Sequence, residues 1–565
     1  MEYVAQNEKI KIKNKAFPLT GNVIITGGRL KKLFDNNLSF LKRFEVDRMM
    51  YWFRVSAGKP APGAPYAFGD GHFENNLFGQ TAGMFLMCAG TALLWTEDSE
   101  LREKVNAIVD EMAEFLPEDG CLLPVEMKDR ITLEYPNYVR AWLIFGLLAA
   151  GYSGNNKAFE IARKFGDWFN HLKELPQIKD MNLGFQGILA NTELFLSPVG
   201  TDEDLEVAQK YYREDWWLQL LKEKDHTAIC RHPNHPHGTV LTALEGYLDI
   251  YRITGEEDLL ICAKNCLSMI EERWQHVGGG IVMCEEVGDP QYPGCNFLNM
   301  RHSYNELCCS TFWILLNQRM ALLEPDNTHY YDQIEESVYN MLTAAQVDDL
   351  GYHYNGYMEG TKDYRFIDMA TCCAATGSRL VSMLPQLLYS YNEEDFYVNL
   401  FADSVASVPG CEIEVKTSLP YKGHTEIIIR QWNKKRLKIR IPYWCKKSVT
   451  VLGVTANPGE YLILENIADG MCISLNFELF VRARLYCGAD IIPQKDRYAF
   501  MYGPMLLAML RSKNAVMSCD IKDVKIQKSE NGHYLIDDCK IEFMPYMDIA
   551  FEPFTVYPVV EKAKK

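Results

Sequence analysis

Residues 306–346, ELCCSTFWILLNQRMALLEPDNTHYYDQIEESVYNMLTAAQ, contain a long apolar run, a turn and a second run that is half polar. Residues 306–323 would be apolar on nearly every side of a helix, which is typical of a buried helix. The turn Glu324-Pro325-Asp326-Asn327 should end this helix. Residues 328–346 keep a polar face and predict an amphipathic helix that covers the first one. The stretch therefore predicts a helical hairpin with an inner and an outer helix.

The same inner–outer pattern occurs repeatedly before this stretch. The predicted pairs cover residues 81–95 with 101–116, 138–150 with 157–172, and 237–253 with 256–274. Residues 379–391 add a further apolar run that is predicted to be helical. Repeated hairpins of this kind are typical of an (α/α) toroid, in which the inner helices surround a central axis. The irregular spacing of the pairs predicts long loops, and long loops are where a site is usually built.

The apolar period changes after residue 394. Alternating, β-branched runs then predict strands at residues 396–400, 412–415, 425–430, 437–441, 461–464, 472–477 and 481–486. We therefore expect a multidomain chain of mixed α and β class. A toroidal catalytic domain is expected over residues 1–393 and an antiparallel β-sandwich over residues 394–565. A short N-terminal segment is placed in the first domain, with membership of the β domain as the alternative.

Composition argues against several classes of function. The 565 residues carry a net charge of −17 without a dominant Lys/Arg cluster, which disfavours a nucleic-acid partner. No run reaches the ~18 uncharged apolar residues of a membrane span. Residues 1–17 lack the apolar core of a secretory signal. With 17 cysteines, such a chain is expected in the reducing cytoplasm, where cysteines remain thiols or bind metal.

Two cysteine segments precede apolar runs, and the spacing of their residues restricts where a helix can begin. Residues two apart point to nearly opposite sides of a helix, so Glu306 and Cys308 can share a metal only if Glu306 lies before the first turn. The same argument places the adjacent Cys372 and Cys373 before a helix that begins at Arg379. Helix N-termini favour negative charge and lower the pKa of a thiol.

Three thiolates and one carboxylate form a plausible tetrahedral zinc set. The alternative is that the cysteines are small buried apolar residues and that Glu306 is a carboxylate favoured by a helix N-terminus. Spacing alone leaves both interpretations open, because Glu-x-Cys with Cys-Cys is a weaker zinc signature than repeated Cys-x-x-Cys.

At these residues the chain resembles glycoside hydrolase family 127, the zinc-dependent β-L-arabinofuranosidases, and their family 146 relatives. The family carries an E-T-C segment and a later C-C pair, which appear here as Glu306-Leu307-Cys308 and Cys372-Cys373. The resemblance implies an (α/α)₆ barrel followed by a β-sandwich. It implies Zn²⁺ as the cofactor, held by Glu306, Cys308, Cys372 and Cys373, with Cys372 also acting as the nucleophile.

Further matches suggest sugar-binding residues. The segment IEESVYN, residues 334–340, is similar to the family's V-M-E-R-A-L-Y-N and implies that Glu335 contacts the sugar. The segment YHYN, residues 352–355, is similar to F-F-Y-x-N and implies the same for Tyr354. His237 precedes an apolar run in the manner of a sugar-contacting histidine of the family. His72 lies beside a Gly-rich loop from which it could reach the site.

The acid/base carboxylate is less sharply defined, because no residue has the family's usual context. A Gly278-Gly279-Gly280 turn is followed by Cys284-Glu285-Glu286-Val287-Gly288-Asp289. We assign Glu286 as the acid/base, with Glu285 and then Asp289 as alternatives. The family's earlier G-H-x-E segment is replaced by Gly184-Phe185-Gln186-Gly187, so one sugar-contacting histidine is missing and the sugar specificity is open.

The first hypothesis is a retaining exo-glycosidase that releases a terminal sugar, β-L-arabinofuranose, with a zinc-bound cysteine nucleophile and a Glu acid/base. A second is an (α/α)₆ hydrolase or lyase that acts on another plant-glycan sugar with carboxylates and His237. A third is a non-catalytic, zinc-stabilised glycan-binding protein. The expected partner is an oligosaccharide or glycoside, with neither nucleic acid nor membrane, and a homodimer is an open alternative to a monomer.

Overall fold

The structure of the protein is a computed structural model. It describes residues 8–66, 77–124, 134–176, 186–230, 238–282, 305–362, 371–488, 494–511, 516–537 and 539–562. The residues His72, His237, Glu285, Glu286 and Asp289, which the sequence singled out, lie outside these ranges.

Helices dominate the described chain up to residue 388. They are Gly28–Lys42, Val46–Met49, Tyr51–Ser56, Gln80–Ala92, Ser99–Phe115, Glu134–Tyr152, Asn156–Asn170, Gln186–Leu196, Asp202–Val207, Asp215–Lys222, Thr227–Cys230, Thr239–Thr254, Glu257–Arg273, Leu307–Leu323, His329–Ser337, Thr343–Ala345, Cys372–Ser382 and Leu384–Leu388, with π-helical turns at Ala208–Tyr212 and Val338–Leu342. The predicted helical hairpins are thereby confirmed, with small shifts of their ends.

The apolar helices pack against one another in a cycle. Each contacts the next and the last contacts the first, in the order Gln80–Ala92, Glu134–Tyr152, Gln186–Leu196, Thr239–Thr254, Leu307–Leu323 and Cys372–Ser382. Every residue of Gln80–Ala92 is buried, as expected of a helix without a polar face. The amphipathic helix Asn156–Asn170 buries one face against Glu134–Tyr152. Polar outer helices therefore cover apolar inner ones.

Small residues allow the first two inner helices to approach closely. A Cβ added at Gly83 would lie 2.8 Å from the backbone nitrogen of Leu143, and one added at Gly146 would lie 2.3 Å from the carbonyl oxygen of Gly83. Neither position has room for a side chain, so the glycines fix the spacing of this helix pair.

The second cysteine helix corrects the sequence prediction. It begins at Cys372, not at Arg379, because the Thr371 side chain accepts a hydrogen bond from the backbone N–H of Ala374 and caps the helix. The predicted helix over residues 379–391 is also too long at its other end. Residues Tyr389–Tyr391 form a strand that pairs with Asp395–Val398 and with Phe17–Pro18.

The C-terminal region is rich in strands, as predicted. One sheet has the order Phe17–Pro18, Tyr389–Tyr391, Asp395–Val398, Arg436–Arg440, Tyr461–Leu464. Another has the order Cys472–Asn476, His424–Gln431, Cys411–Thr417, Ser404–Val408, Val23–Ile25. A hairpin joins Val449–Val451 to Val454–Ala456. Strands Val481–Leu485, Asp496–Tyr502, Met505–Met509, Val516–Cys519, Ile526–Lys528, Tyr534–Ile536, Phe543–Pro545, Phe554–Thr555 and Val559–Lys562 form a further sheet with Glu359–Gly360.

The expectation of purely antiparallel pairing is wrong for two strand pairs. Arg436–Arg440 runs parallel to Asp395–Val398, and Val516–Cys519 runs parallel to Val559–Lys562. The connections between these partners are long, which is what parallel pairing requires. The alternation of apolar residues predicts where the strands lie, but not which strands pair or in which direction.

No helix among the described residues combines the length and apolarity that crossing a bilayer requires.

Candidate metal centre

The first cysteine helix, Leu307–Leu323, begins directly after Glu306. Glu306 has extended backbone angles, φ −66° and ψ 132°, and its short strand Asn305–Glu306 pairs with Asn355–Gly356. Because Glu306 lies outside the helix, its side chain can turn toward that of Cys308. The Oε1 atom of Glu306 lies 2.8 Å from Cys308 Sγ. The predicted placement of Glu306 before the first turn is confirmed.

The second cysteine helix supplies two more sulfur atoms from its first turn. Cys372 and Cys373 are its first two residues. The Sγ atom of Cys308 lies 3.4 Å from that of Cys372 and 3.0 Å from that of Cys373. Cys373 Sγ is also 3.6 Å from Glu306 Oε1. Four potential ligand atoms from two helix starts are thus brought together, all within 4.8 Å of one another.

This donor set fits a metal ion with tetrahedral geometry. Zinc–sulfur bonds of about 2.3 Å imply sulfur–sulfur separations of roughly 3.8 Å across a tetrahedron. The sulfur–sulfur distances of 3.4 Å and 3.0 Å from Cys308 are shorter than this value, so the side chains would have to move apart slightly around a bound ion. Thiolate-rich sets of this kind are typical of zinc. Among the described residues the cluster could therefore hold a metal ion.

Because most of the cluster is buried, its thiols can ionise only if a nearby positive charge compensates the thiolates. Glu306, Cys308 and Cys373 are buried, whereas Cys372 is partly exposed. Burial raises the pKa of the Cys308 and Cys373 thiols well above the ordinary value, and the neighbouring Cys372 sulfur adds to this effect. A bound cation has to displace these protons, so metal affinity should increase with pH. Of the four clustered residues, only Cys372 is partly exposed to solvent.

Tyr354 lies beside this accessible sulfur. Its hydroxyl oxygen is 3.8 Å from Cys372 Sγ, and its side chain is buried. Its backbone carbonyl accepts a hydrogen bond of 3.0 Å from the N–H of Leu307, the first residue of the first cysteine helix. The start of that helix therefore fixes Tyr354 next to the cluster.

Glu335 lies in the contact between the helices and the sheets. It is buried, and its two carboxylate oxygens accept hydrogen bonds from Arg440 Nη2 and Trp444 Nε1, each at 2.6 Å. Arg440 also pairs with the carboxylate of Asp332. These bonds give Glu335 a structural role that the sequence did not suggest, and the predicted contact of Glu335 with the sugar rests on the resemblance alone.

A buried ionic network crosses the inner helices. Arg319, on the first cysteine helix, donates to Glu245 Oε2 at 3.0 Å and to Asp249 Oδ2 at 2.8 Å. Burial raises the pKa of Glu245 to about 7, although Arg319 opposes the shift. Glu193 lies within 3.5 Å of Arg319 and 3.8 Å of Arg379, which belongs to the second cysteine helix. The network thus links the two cysteine helices away from the cluster.

Two family models match the chain, and both describe the same family. The model of the β-L-arabinofuranosidase GH127 catalytic domain matches residues 22–386, and the model of the GH127 middle domain matches residues 395–479. A solved GH127 β-arabinofuranosidase is 16% identical, with 97% of this chain and 98% of that chain covered at a TM-score of 0.75. No curated protein sequence matches the chain significantly.

A second solved structure, the GH127 β-L-arabinofuranosidase from Geobacillus stearothermophilus T6, is also 16% identical. It covers 96% of this chain and 100% of its own, with a TM-score of 0.76. At such low identity these likenesses concern the fold alone, whereas the family models match the sequence itself. Because the catalytic-domain model spans well over half of the chain, the protein belongs to the GH127 β-L-arabinofuranosidase family and is a glycoside hydrolase.

Proposed function

We propose that this glycoside hydrolase is a retaining exo-enzyme that releases a terminal β-L-arabinofuranose and uses Cys372 as its nucleophile. The observation that carries the proposal is the convergence of Glu306, Cys308, Cys372 and Cys373, of which Cys372 alone is accessible. The sugar is that of the GH127 relatives, whose names describe them as β-L-arabinofuranosidases.

In the first step the Cys372 thiolate attacks the anomeric carbon. A carbon–sulfur bond forms while the bond to the leaving oxygen breaks, and Glu286 donates its proton to that oxygen. In the second step Glu286 removes a proton from water, the water oxygen bonds to the anomeric carbon, and the carbon–sulfur bond breaks. Two displacements at one carbon give net retention. Glu285 and Asp289 are the alternatives for the acid/base role.

A zinc ion held by Glu306, Cys308, Cys372 and Cys373 would supply the positive charge that keeps these thiols ionised near neutral pH. The buried ligands Glu306, Cys308 and Cys373 hold Cys372 at the edge of the cluster, where its sulfur faces the hydroxyl of Tyr354. That hydroxyl can donate a hydrogen bond to a sugar oxygen or to the sulfur. His72, His237 and Glu335 complete the proposed substrate contacts.

The finer architecture is also part of this proposal. A cycle of inner helices covered by amphipathic ones supports an (α/α)₆ barrel as the catalytic domain, over residues 1–393. Alternating burial in strands such as Ser404–Val408 and Cys472–Asn476 supports a β-sandwich within residues 394–565. A cytoplasmic location would suit a site that depends on reduced thiols.

The stereochemical outcome tests the two-step mechanism. Proton NMR of an aryl β-L-arabinofuranoside during hydrolysis should show β-arabinofuranose as the first anomer, before mutarotation. Initial release of the α anomer would contradict a glycosyl–cysteine intermediate. Hydrolysis of a different terminal sugar with retention would preserve the mechanism and change the substrate.

A further inference from the structure

A small cavity lies beside the pair of short strands that positions Glu306. Its volume is about 20 Å³, and its polar walls are formed by Asn305, Ser310, His353, Asn355 and Lys362. Asn305 and Asn355 belong to the two strands themselves. The cavity therefore borders the segment that supplies the candidate ligands Glu306 and Cys308.

Lys362 brings an amino group into the interior at this cavity. Its side chain is buried, and its Nζ atom lies 5.2 Å from the centre of the Tyr546 ring. Nζ donates a hydrogen bond of 2.8 Å to the carbonyl of Ala344. In its charged and in its neutral form the amino group has more than one N–H, so a donor remains for the cavity. A buried donor of this kind needs an acceptor.

Two oxygen atoms of the cavity walls need a partner as well. Asn305 Nδ2 donates to the carbonyl of Gly356 at 3.3 Å, which leaves Oδ1 of the same amide as an acceptor. Neither Asn305 Oδ1 nor Ser310 Oγ has a hydrogen-bond partner within the described part of the chain, and both residues are buried. Because unpaired polar groups in the interior cost free energy, these atoms indicate a ligand between them.

The size and the chemistry of the cavity identify this ligand. The volume suffices for a single water molecule and is too small for a sugar or a polyatomic anion. Lys362 offers a donor, whereas Asn305 Oδ1 offers an acceptor. A monatomic anion could accept from Lys362 but has no proton to donate to Asn305, and water can do both.

We propose that the cavity binds one structural water molecule, which joins Lys362 to Asn305 and Ser310. The water accepts a hydrogen bond from Lys362 Nζ and donates to Asn305 Oδ1 and Ser310 Oγ. Asn305 directly precedes Glu306, and Ser310 lies two residues after Cys308. The water thus braces the ligand segment from both ends, a role that goes beyond the proposed function and does not depend on the sugar.

Crystal structures of the full chain, grown in sodium bromide, test the identity of the ligand. The wild type should show one water molecule within hydrogen-bond distance of Lys362 Nζ and Asn305 Oδ1, without an anomalous bromide signal. Lys362→Met lacks the donor and should lose this water. An empty wild-type cavity, a bromide peak in it, or a water equally ordered in Lys362→Met would overturn the inference.

The rate of zinc release tests the bracing role. Ser310→Ala removes one partner of the water and should release zinc to a chromogenic chelator about tenfold faster than the wild type. Ser378→Ala is the matched control, because Ser378 is a buried serine of the second cysteine helix whose hydroxyl donates to Asn37 Oδ1 at 2.7 Å, outside the cavity. It should release zinc at the wild-type rate. Equal release from Ser310→Ala and the wild type would overturn the bracing role.

The two measurements keep this inference distinct from the proposed function. If the wild type binds zinc but hydrolyses no furanoside, the proposed function fails, and both measurements still decide on the water. If the wild type binds no zinc, the metal assignment fails, and the electron density in the cavity alone decides whether the water site exists.

Discussion

The hydroxyl of Tyr354 lies 3.8 Å from the sulfur of Cys372, and the backbone carbonyl of Tyr354 accepts a hydrogen bond from the N–H of Leu307. The two residues come from different segments, yet both meet at the start of the first cysteine helix. The arrangement gives the accessible sulfur of the cluster a nearby hydrogen-bond donor. This contact joins the candidate metal centre to a predicted sugar-binding residue.

Tyr354→Phe should lower kcat/KM by about 10–100-fold without loss of metal, because one hydrogen bond to a charged or reacting group is worth roughly 1.5–3 kcal/mol. Metal content and turnover should be measured on the same preparation. Tyr397→Phe, whose hydroxyl bonds to Asp395 in the sheets, is a suitable control and should retain activity. Full activity of Tyr354→Phe would remove this hydroxyl from the site.

Metal binding should depend on the clustered thiols and not on their neighbour. Cys373→Ala removes a buried donor and should reduce bound zinc from about one per chain to near zero. Cys309→Ala removes a buried thiol one residue from Cys308 and should retain the metal. Elemental analysis of both variants checks this. Equal zinc in the two would show that the cluster is not the metal site.

Much of the fold could be predicted because the buried face of a helix or strand requires apolar residues at regular intervals in the sequence. The inner helix predicted at 306–323 is observed as Leu307–Leu323, and the strand at 461–464 is found unchanged. The helix Gln186–Leu196 was missed, because it is short and nearly apolar throughout, without a clear outer partner. The local pattern therefore revealed long elements better than short ones.

The sequence and the family resemblance indicate the four residues that cluster, but not the geometry of the cluster. The segment Cys372-Cys373-Ala374-Ala375 has small residues without an apolar period, so its pattern does not indicate that a helix begins there. The signal for this helix start is Thr371, which is a favourable N-cap residue. The bonds of Glu336 to Gly278 and Arg484 join residues far apart in sequence. Such pairings depend on tertiary packing and have no local signature.

Loss of Arg440 should destabilise the protein strongly. Its guanidinium is fully buried and pairs with Asp332 and Glu335, so Arg440→Ala leaves two buried carboxylates without that partner. We expect a loss of about 3–5 kcal/mol in the free energy of unfolding. Arg436→Ala, on the same strand but more exposed, should cost much less. Urea unfolding would check both, and similar losses would contradict this role for the buried pair.

Lys362 should make stability increase with pH. Its ammonium group is buried and donates to the carbonyl of Ala344 at 2.8 Å, and burial lowers its pKa to about 7, with a smaller contribution from Arg29. An unfolded lysine titrates near 10.4, so above pH 7 the unfolded state binds more protons and folding is favoured. Below pH 7 both states are protonated, and the cost of burying the charge remains.

Lys362→Met should remove this dependence. Between pH 6 and pH 9 the unfolding free energy of the wild type should rise by roughly 2–3 kcal/mol relative to the variant, as measured by urea unfolding at both values. Lys435→Met, at an exposed lysine, is the control, and the pH dependence of its unfolding free energy should equal that of the wild type. If the difference in unfolding free energy between the wild type and Lys362→Met does not change with pH, Lys362 does not have a lowered pKa in the folded protein.

The proposed role of Cys372 is that of the nucleophile of a metal-dependent glycosidase. The most direct measurement is zinc per chain and turnover of an aryl β-L-arabinofuranoside, on the same samples of wild type and Cys372→Ser. We expect about one zinc per wild-type chain and a loss of at least about 10³-fold in turnover for the variant. A metal-free wild type with full activity, or a Cys372→Ser variant as active as the wild type, would contradict it.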